Sequence, residues 1–205
     1  SVESRVKLWL TRNDERAVLE RFVTARLFAY GDHPTEVRDG RVWARLPLLG
    51  DLDLPPELLA LAPDETLLRA VVREVRWAGP ETLTLLVCGA IDNVHLDGFP
   101  EVACALVGPD GARVELAVEQ VRDWRGNLAG RRHQDYSWGG IRATVDAATL
   151  GAGSWNLELT MTVAGVTRTG LAVLAADHVA ADRGDGHRFA PRPAVAAGTT
   201  VRADP

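Results

Sequence analysis

The chain has little cysteine, no long apolar run and no excess of basic residues. Its 205 residues include two cysteines, too few for a small scaffold held together by disulfides. No apolar stretch approaches the ~20 residues that span a bilayer, and the first residues lack the apolar core of a signal peptide. The formal net charge of −5 argues against a nucleic-acid binder, which needs a basic surface. We therefore expect a globular protein without a transmembrane segment or a nucleic-acid partner.

The usual sequence signatures of catalysis are also missing. Neither G-x-x-x-x-G-K-[ST] nor G-x-G-x-x-G occurs, so the chain lacks the common phosphate cradles. Five histidines are scattered over predicted loops, and we expect them to be solvated: His33, His95, His133, His178 and His187. Loop carboxylates at Asp51/Asp53 and Asp182/Asp185 have the residue types of a calcium or glycosidase site, but solvated loops are the simpler interpretation. We expect no cofactor and no metal ion.

The two cysteines, Cys88 and Cys104, lie in apolar strand-like runs on either side of a turn near Leu96. That symmetry allows them to face each other across a hairpin. The interpretation that the sequence favours is a pair of buried free thiols, because free cysteine behaves as a small hydrophobe.

The first 64 residues carry mixed signals. Val6, Leu8 and Leu10 alternate with polar residues, which predicts a strand over 5–12. A short helix is predicted after Asn13. The periodicity of 22–30 also suits a helix, but its aromatic and β-branched residue types favour a second strand.

Turn residues organise the rest of this segment. Asp39-Gly40 predicts a tight hairpin, since both residue types tolerate positive φ. Pro55, Pro56 and Pro63 predict an extended connection with one helical turn near 57–61, and a domain boundary near residue 64.

Residues 65–175 have regular strand signals. The predicted strands are 67–77 (with a bulge or at a sheet edge), 82–91, 102–106, a return strand through Val114, Leu116 and Val118, 141–145, and a hairpin over 154–173 that turns at Ala164-Gly165. Turns recur every 8–12 residues or so, which is typical of a sandwich. The sequence therefore predicts an all-β fold: an antiparallel β-sandwich over 65–175, a strand-and-hairpin appendage over 1–64, and an extended tail over 176–205. That tail is either a surface linker or a final docking strand.

One polar and aromatic loop, 122–140, is the best candidate for a ligand site. Aromatic faces can stack on the apolar side of a sugar, and arginines can hold phosphate through paired hydrogen bonds. The candidate ligand-binding residues are Trp124, Arg125, Arg131, Arg132, Asp135 and Tyr136. The alternative is that Tyr136 and Trp138 pack inward and the arginines are solvated.

The stretch LGAGSWNLELTMTVAGVTRTGLAV, with the strands before it and the Asp135-Tyr136 loop, resembles a known kind of module. Its pattern of Leu150, Gly153, Trp155, Gly165 and Arg168 is similar to the immunoglobulin-like C-terminal accessory domains of bacterial family 2 cell-envelope glycosyltransferases of the wall teichoic acid type. The resemblance covers about residues 65–175 and includes no catalytic residue.

The resemblance implies a non-catalytic module that positions a glycan or polyol-phosphate acceptor for a catalytic glycosyltransferase domain of the same chain. It implies a cytoplasmic location, with the inner membrane surface as a variant. Two alternatives stay open: a structural module that forms homo-oligomers, and a small autonomous carbohydrate-active enzyme that uses loop carboxylates such as Asp123 and Asp135.

Overall fold

The structure is a computed structural model. It describes residues 1–26, 33–46, 49–50, 52–108, 111–127, 133–151 and 153–175 with their side chains, and 128–129, 181–182, 188–191 and 200–203 as backbone. The helices are α1 (Val2–Arg12) and α2 (Arg16–Arg26). The strands are β1 (Thr35–Arg38), β2 (Arg41–Ala44), β3 (Leu68–Trp77), β4 (Thr82–Ile91), β5 (Glu101–Val107), β6 (Arg113–Glu115), β7 (Ala117–Val121), β8 (Gly140–Asp146), β9 (Gly153–Val163), β10 (Val166–Leu171), β11 (Val173–Leu174), β12 (Ala181–Asp182), β13 (Arg188–Pro191) and β14 (Thr200–Ala203).

The first element is the helix α1, so the strand predicted over 5–12 is wrong. The alternation of apolar residues there included Leu8, but the side chain of Leu8 is 51% exposed. The fully buried residues are Val2, Val6 and Leu10, whose spacing of four places them on one helical face.

The helix predicted after Asn13 is present as α2, although Asn13 itself ends α1 by donating its side-chain amide to the Trp9 carbonyl. The strand favoured over 22–30 is wrong for Phe22 to Arg26, which belong to α2, and 27–30 lie outside the described residues. Phe22 is buried against the inner face of α1, and this tertiary contact decides in favour of the helix.

The hairpin predicted at Asp39-Gly40 is confirmed as β1 and β2. Both turn residues have positive φ, 50° and 68°, which matches the twist of a two-residue hairpin turn. The connection that follows contains the predicted helical turn, a 3-10 turn at Pro56–Leu58.

Two sheets form the antiparallel β-sandwich that the sequence predicted. One has the strand order β11-β3-β4-β8-β7, and the other has β12-β13-β14-β9-β5-β6 with β10 also paired to β9. The pairings are antiparallel except for the short parallel contact of β11 with β3. The predicted bulge in β3 lies between Val72 and Glu74. The backbone of β14 pairs with the start of β9, so this part of the tail is a docked strand.

The return strand predicted through Val114, Leu116 and Val118 is divided between the two sheets. Its first half is β6, which pairs with β5, and its second half is β7, which pairs with β8. Leu116 lies at the crossing, where its amide donates to the Cys104 carbonyl at 2.9 Å and its side chain is buried. The alternation of apolar and polar residues is therefore continuous in the sequence, although the chain passes from one sheet to the other within it.

The sandwich core lies between these sheets. Alternate residues of β9 are buried there, including Trp155 at 4% exposure. A second cluster joins the helices to the hairpin and to the residues that follow it: Val2, Val6, Leu10, Phe22, Ala44, Leu46 and Leu49. Leu61 contacts both clusters, which links the N-terminal segment to the sandwich.

Asn93 makes a further link between these regions. Its side-chain amide donates to the Glu65 carbonyl at 2.7 Å, and its own carbonyl accepts from the Thr35 hydroxyl. Its backbone amide donates to the Tyr136 hydroxyl at 3.1 Å. One residue with positive φ therefore connects the hairpin, the start of β3 and the loop before β8.

Both cysteines are buried and free, as the sequence favoured. They do not face each other across a hairpin, because Cys88 lies in β4 beside Val71 and Gly140, whereas Cys104 lies in β5 beside Leu159 in the other sheet. Burial raises the pKa of Cys88 to about 11 and that of Cys104 to about 12.

Candidate functional site

The loop between β7 and β8 contains the residues predicted to bind a ligand. It is built from two 3-10 turns, Trp124–Ala129 and Ser137–Gly139. The Asp123 amide donates to the Ser137 carbonyl at 2.7 Å, which closes the loop at its base. The loop is therefore anchored at the point where it leaves the sheet.

Asp123 organises the first turn of this loop. Its buried carboxylate accepts hydrogen bonds from the Arg125 amide, Nε and Nη2 at 3.0, 2.8 and 2.7 Å. The Cys88 thiol donates to the same carboxylate at 3.3 Å. The hydrogen bond from the Arg125 side chain lowers the pKa of Asp123, and it outweighs the opposite effect of burial. This carboxylate is ionised and fully engaged.

Asp135 organises the second turn. Its carboxylate accepts from the Ser137 amide and from the Asn127 side chain, both at 2.8 Å. The hydrogen bond from the Ser137 amide is the main reason that the pKa of Asp135 is lowered. The Asp135 amide donates to Nδ1 of His95 at 2.9 Å, which holds the neighbouring loop in place.

Tyr136 is not available to a ligand. Its side chain is 2% exposed, and its hydroxyl accepts from the Asn93 amide. The inward packing considered for Tyr136 is therefore present, while Trp138 is half-buried at the surface.

Trp124 is the aromatic side chain of this loop that faces solvent, with 70% exposure. Arg125 is 39% exposed although it is paired with Asp123. The Arg122 guanidinium lies over the Trp138 ring, 4.6 Å from its centroid. The described part of the loop thus presents one free indole with two arginines near it, and Arg131 and Arg132 lie outside the described residues.

Of the histidines predicted to be solvated, His133 is exposed and His95 is half-exposed, but His33 is buried at 3% exposure. His178 and His187 lie outside the residues with described side chains.

A groove that sequence reasoning missed lies beside the loop. It has a volume of about 700 Å³ and lies between the start of β1, the segment 95–101 and the turn that joins β9 to β10. Its lining includes Glu36, His95, Asp97, Phe99 and Glu101. These residues come from distant parts of the chain, so no local pattern could have brought them together.

Within the described ranges, no three His, Cys, Asp or Glu side chains are arranged to hold a metal ion. In the same part of the chain, no helix is long and apolar enough to cross a membrane.

Comparison with known proteins gives a fold relationship. No protein-family model and no curated protein matches the chain. Residues 217–571 of S. aureus TarS, a crystal structure, match with a TM-score of 0.51 and 10% identity over 96% of this chain and 53% of that one. A further crystal structure of S. aureus TarS matches with a TM-score of 0.48 and 9% identity, covering 96% and 33%. The chain spans about half the length of the TarS fragment, and at this identity the likeness establishes a related fold.

Proposed function

We propose that this chain is a non-catalytic accessory module of a bacterial cell-envelope glycosyltransferase. In this proposal it positions a glycan or polyol-phosphate acceptor for a catalytic domain of the same protein, in the cytoplasm. The observation that carries it is the fold shared with TarS, a wall teichoic acid glycosyltransferase, over 96% of the chain. The sequence resemblance described above points to the same kind of module.

The proposed organisation has an N-terminal segment of residues 1–64, a sandwich over 65–175 and a tail over 176–205. The separate cluster formed by the helices and the residues after the hairpin supports a division near residue 64, although Val42 of the hairpin belongs to the sandwich cluster.

The proposed contact with the acceptor uses the exposed Trp124 and the cations beside it. An exposed indole can stack on the apolar face of a sugar, and Arg122, which lies over the Trp138 ring, and Arg125, which is paired with Asp123, are close to Trp124 in the sequence. The loop stays in place while it binds, because Asp123 and Asp135 anchor both of its turns. The carboxylates that anchor the loop have lowered pKa values, whereas a general acid needs a raised one.

The test is a titration of the full chain with a glycerol-phosphate oligomer and with a neutral oligosaccharide, followed by NMR. Trp124→Ala should weaken oligomer binding about two- to tenfold, the range expected for loss of one stacking contact. Leu8→Ala, which removes a similarly exposed apolar side chain from α1, is the matched control and should bind like the unmodified chain. Binding that neither substitution changes would remove Trp124 from the site.

Self-association is a second candidate function. Leu67, Leu171 and Val173 are 54%, 40% and 39% exposed and lie around the edge formed by β3, β10 and β11. Apolar side chains grouped at a sheet edge are typical of an interface. Light scattering at high concentration decides: a monomer excludes this role, and an oligomer that Leu67→Lys disperses supports it.

A further inference from the structure

The groove beside the loop has the dimensions and chemistry of a small-ligand site. Its volume of about 700 Å³ falls within the range of about 300–1,000 Å³ that is usual for such sites. Its walls come from β1, the segment 95–101 and the β9–β10 turn, and these are joined through main-chain pairing and through Asn93. The groove is therefore a preformed feature of the fold.

The charge of the groove disfavours anionic ligands. Among the residues that the structure describes, its lining contains the carboxylates of Glu36, Asp97 and Glu101 and no Lys or Arg. Glu36 is paired with Arg38 and Arg45, but Asp97 is 95% exposed and Glu101 is also exposed. A phosphate placed here would meet uncompensated negative charge, so the groove disfavours the anionic part of a polymer.

His95 orients the carboxylate of Asp97 at the mouth of the groove. Its Nδ1 accepts from the Asp135 amide at 2.9 Å, so the ring proton lies on Nε2. Nε2 lies 3.1 Å from an Asp97 carboxylate oxygen, at the mouth of the groove. This arrangement fixes the ring and leaves the remaining lone pairs of Asp97 free to accept from a ligand.

Phe99 supplies an aromatic surface that is held in position. Its side chain is 47% exposed, and its ring packs at 88° to the Trp138 ring with 5.0 Å between centroids. The guanidinium of Arg122 covers Trp138 in turn. An exposed ring supported in this way can stack on an apolar sugar face without first losing rotamer freedom.

We propose that this groove binds an uncharged saccharide unit. Free carboxylate oxygens and a fixed aromatic ring match the many hydroxyl donors and the apolar face of a sugar. The inference rests on the proposed role in acceptor binding and assigns two parts of the acceptor to two surfaces. The sugar enters the groove, and the phosphate-bearing chain lies toward Trp124, Arg122 and Arg125.

Gly98 offers a way to close the groove with little disturbance. It lines the groove, and a Cβ added there would meet nothing within 4 Å. Gly151 is the matched control, since its added Cβ also meets nothing within 4 Å and it does not line the groove. The variants are Gly98→Leu, Gly151→Leu and Phe99→Ala, and thermal unfolding of each shows whether the fold is retained.

The probes are N,N′-diacetylchitobiose, glucose, glucose 6-phosphate and a trilysine peptide, titrated into the full chain and followed by NMR. We expect chitobiose to bind with millimolar affinity that is unchanged between 50 and 500 mM salt, and glucose 6-phosphate to bind at least threefold more weakly than glucose. Gly98→Leu and Phe99→Ala should each weaken chitobiose binding tenfold or more. Gly151→Leu should leave it unchanged.

Several results would overturn the groove assignment: no saccharide binding, binding that Gly98→Leu does not alter, tighter binding of the sugar phosphate, or salt-sensitive binding of trilysine alone. A glycerol-phosphate oligomer that still binds through Trp124 in those cases leaves the proposed function standing. Chitobiose binding in the groove without any oligomer binding would support the groove assignment and contradict the proposed function.

Discussion

Replacing Asp123 should destabilise the protein by an amount that depends on pH. The carboxylate is 6% exposed and accepts hydrogen bonds from three N–H groups of Arg125 and from the Cys88 thiol. Hydrogen bonds to a charged group contribute about 1.5–3 kcal/mol, and Arg125 remains partly solvated when its partner is lost. We therefore expect Asp123→Ala to lower the free energy of unfolding by about 2–3 kcal/mol at pH 7.

The direction of the pH dependence follows from the lowered pKa of Asp123. A carboxyl whose pKa is lower in the folded state contributes stability above its unfolded pKa of about 3.9, and that contribution is lost as the pH falls through the folded value. The difference between Asp123→Asn and the unmodified chain should therefore be largest at pH 7 and should shrink below about pH 4.

The assay is urea unfolding followed by tryptophan fluorescence at pH 7, 5 and 3.5. Asp97→Asn is the control, because its carboxylate is 95% exposed and the substitution should change stability by less than about 0.5 kcal/mol. If Asp123→Asn lowered the free energy of unfolding by the same amount at pH 7 and pH 3.5, the proposed contribution of the ionised Asp123 carboxylate would be refuted.

Trp155→Ala should lower the free energy of unfolding in urea by about 3–5 kcal/mol, because the ring is 4% exposed and its Nε1 donates to the Gly151 carbonyl. A decrease of less than about 1 kcal/mol would place the ring outside the core. Val6→Ala should cost about 2 kcal/mol, whereas Leu8→Ala should cost less than about 0.5 kcal/mol, and equal costs would contradict α1. Because burial raises the pKa of Cys88 to about 11, a thiol reagent at pH 8 should react with the native protein at least about a hundredfold more slowly than with the unfolded chain. Rapid labelling of the native protein would show that the thiol is accessible.

Strands that pair with sequence neighbours could be predicted from local pattern. The bounds predicted for β4, 82–91, agree with the structure, and its apolar residues on both faces reflect its place between β3 and β8. The hairpin of β9 and β10 was also predicted, with its reversal at Ala164-Gly165, where both residues have positive φ.

Elements whose identity depends on distant contacts could not be predicted in this way. Leu8 satisfies the alternation of a strand, and only the burial of Val2, Val6 and Leu10 against the rest of the N-terminal cluster shows that the period is helical. The burial of Tyr136 depends on Asn93, which lies 43 residues away. Of the candidate site residues, Trp124 is exposed, whereas Asp135, predicted as a ligand contact, anchors the loop through Ser137 and Asn127. The groove needs three segments that meet only in the folded chain.

The hydrogen bonds of Asn93 have a consequence for dissecting the chain. A cut near residue 64 agrees with the division into two apolar clusters, but it separates Thr35 from the Asn93 carbonyl and Val2 from the Glu65 carboxylate. A sandwich expressed alone would keep its strands and lose the wall of the groove that β1 supplies. Studies with truncated proteins therefore need both segments in one polypeptide, since the wall of the groove and the junction between the two segments depend on the same few hydrogen bonds.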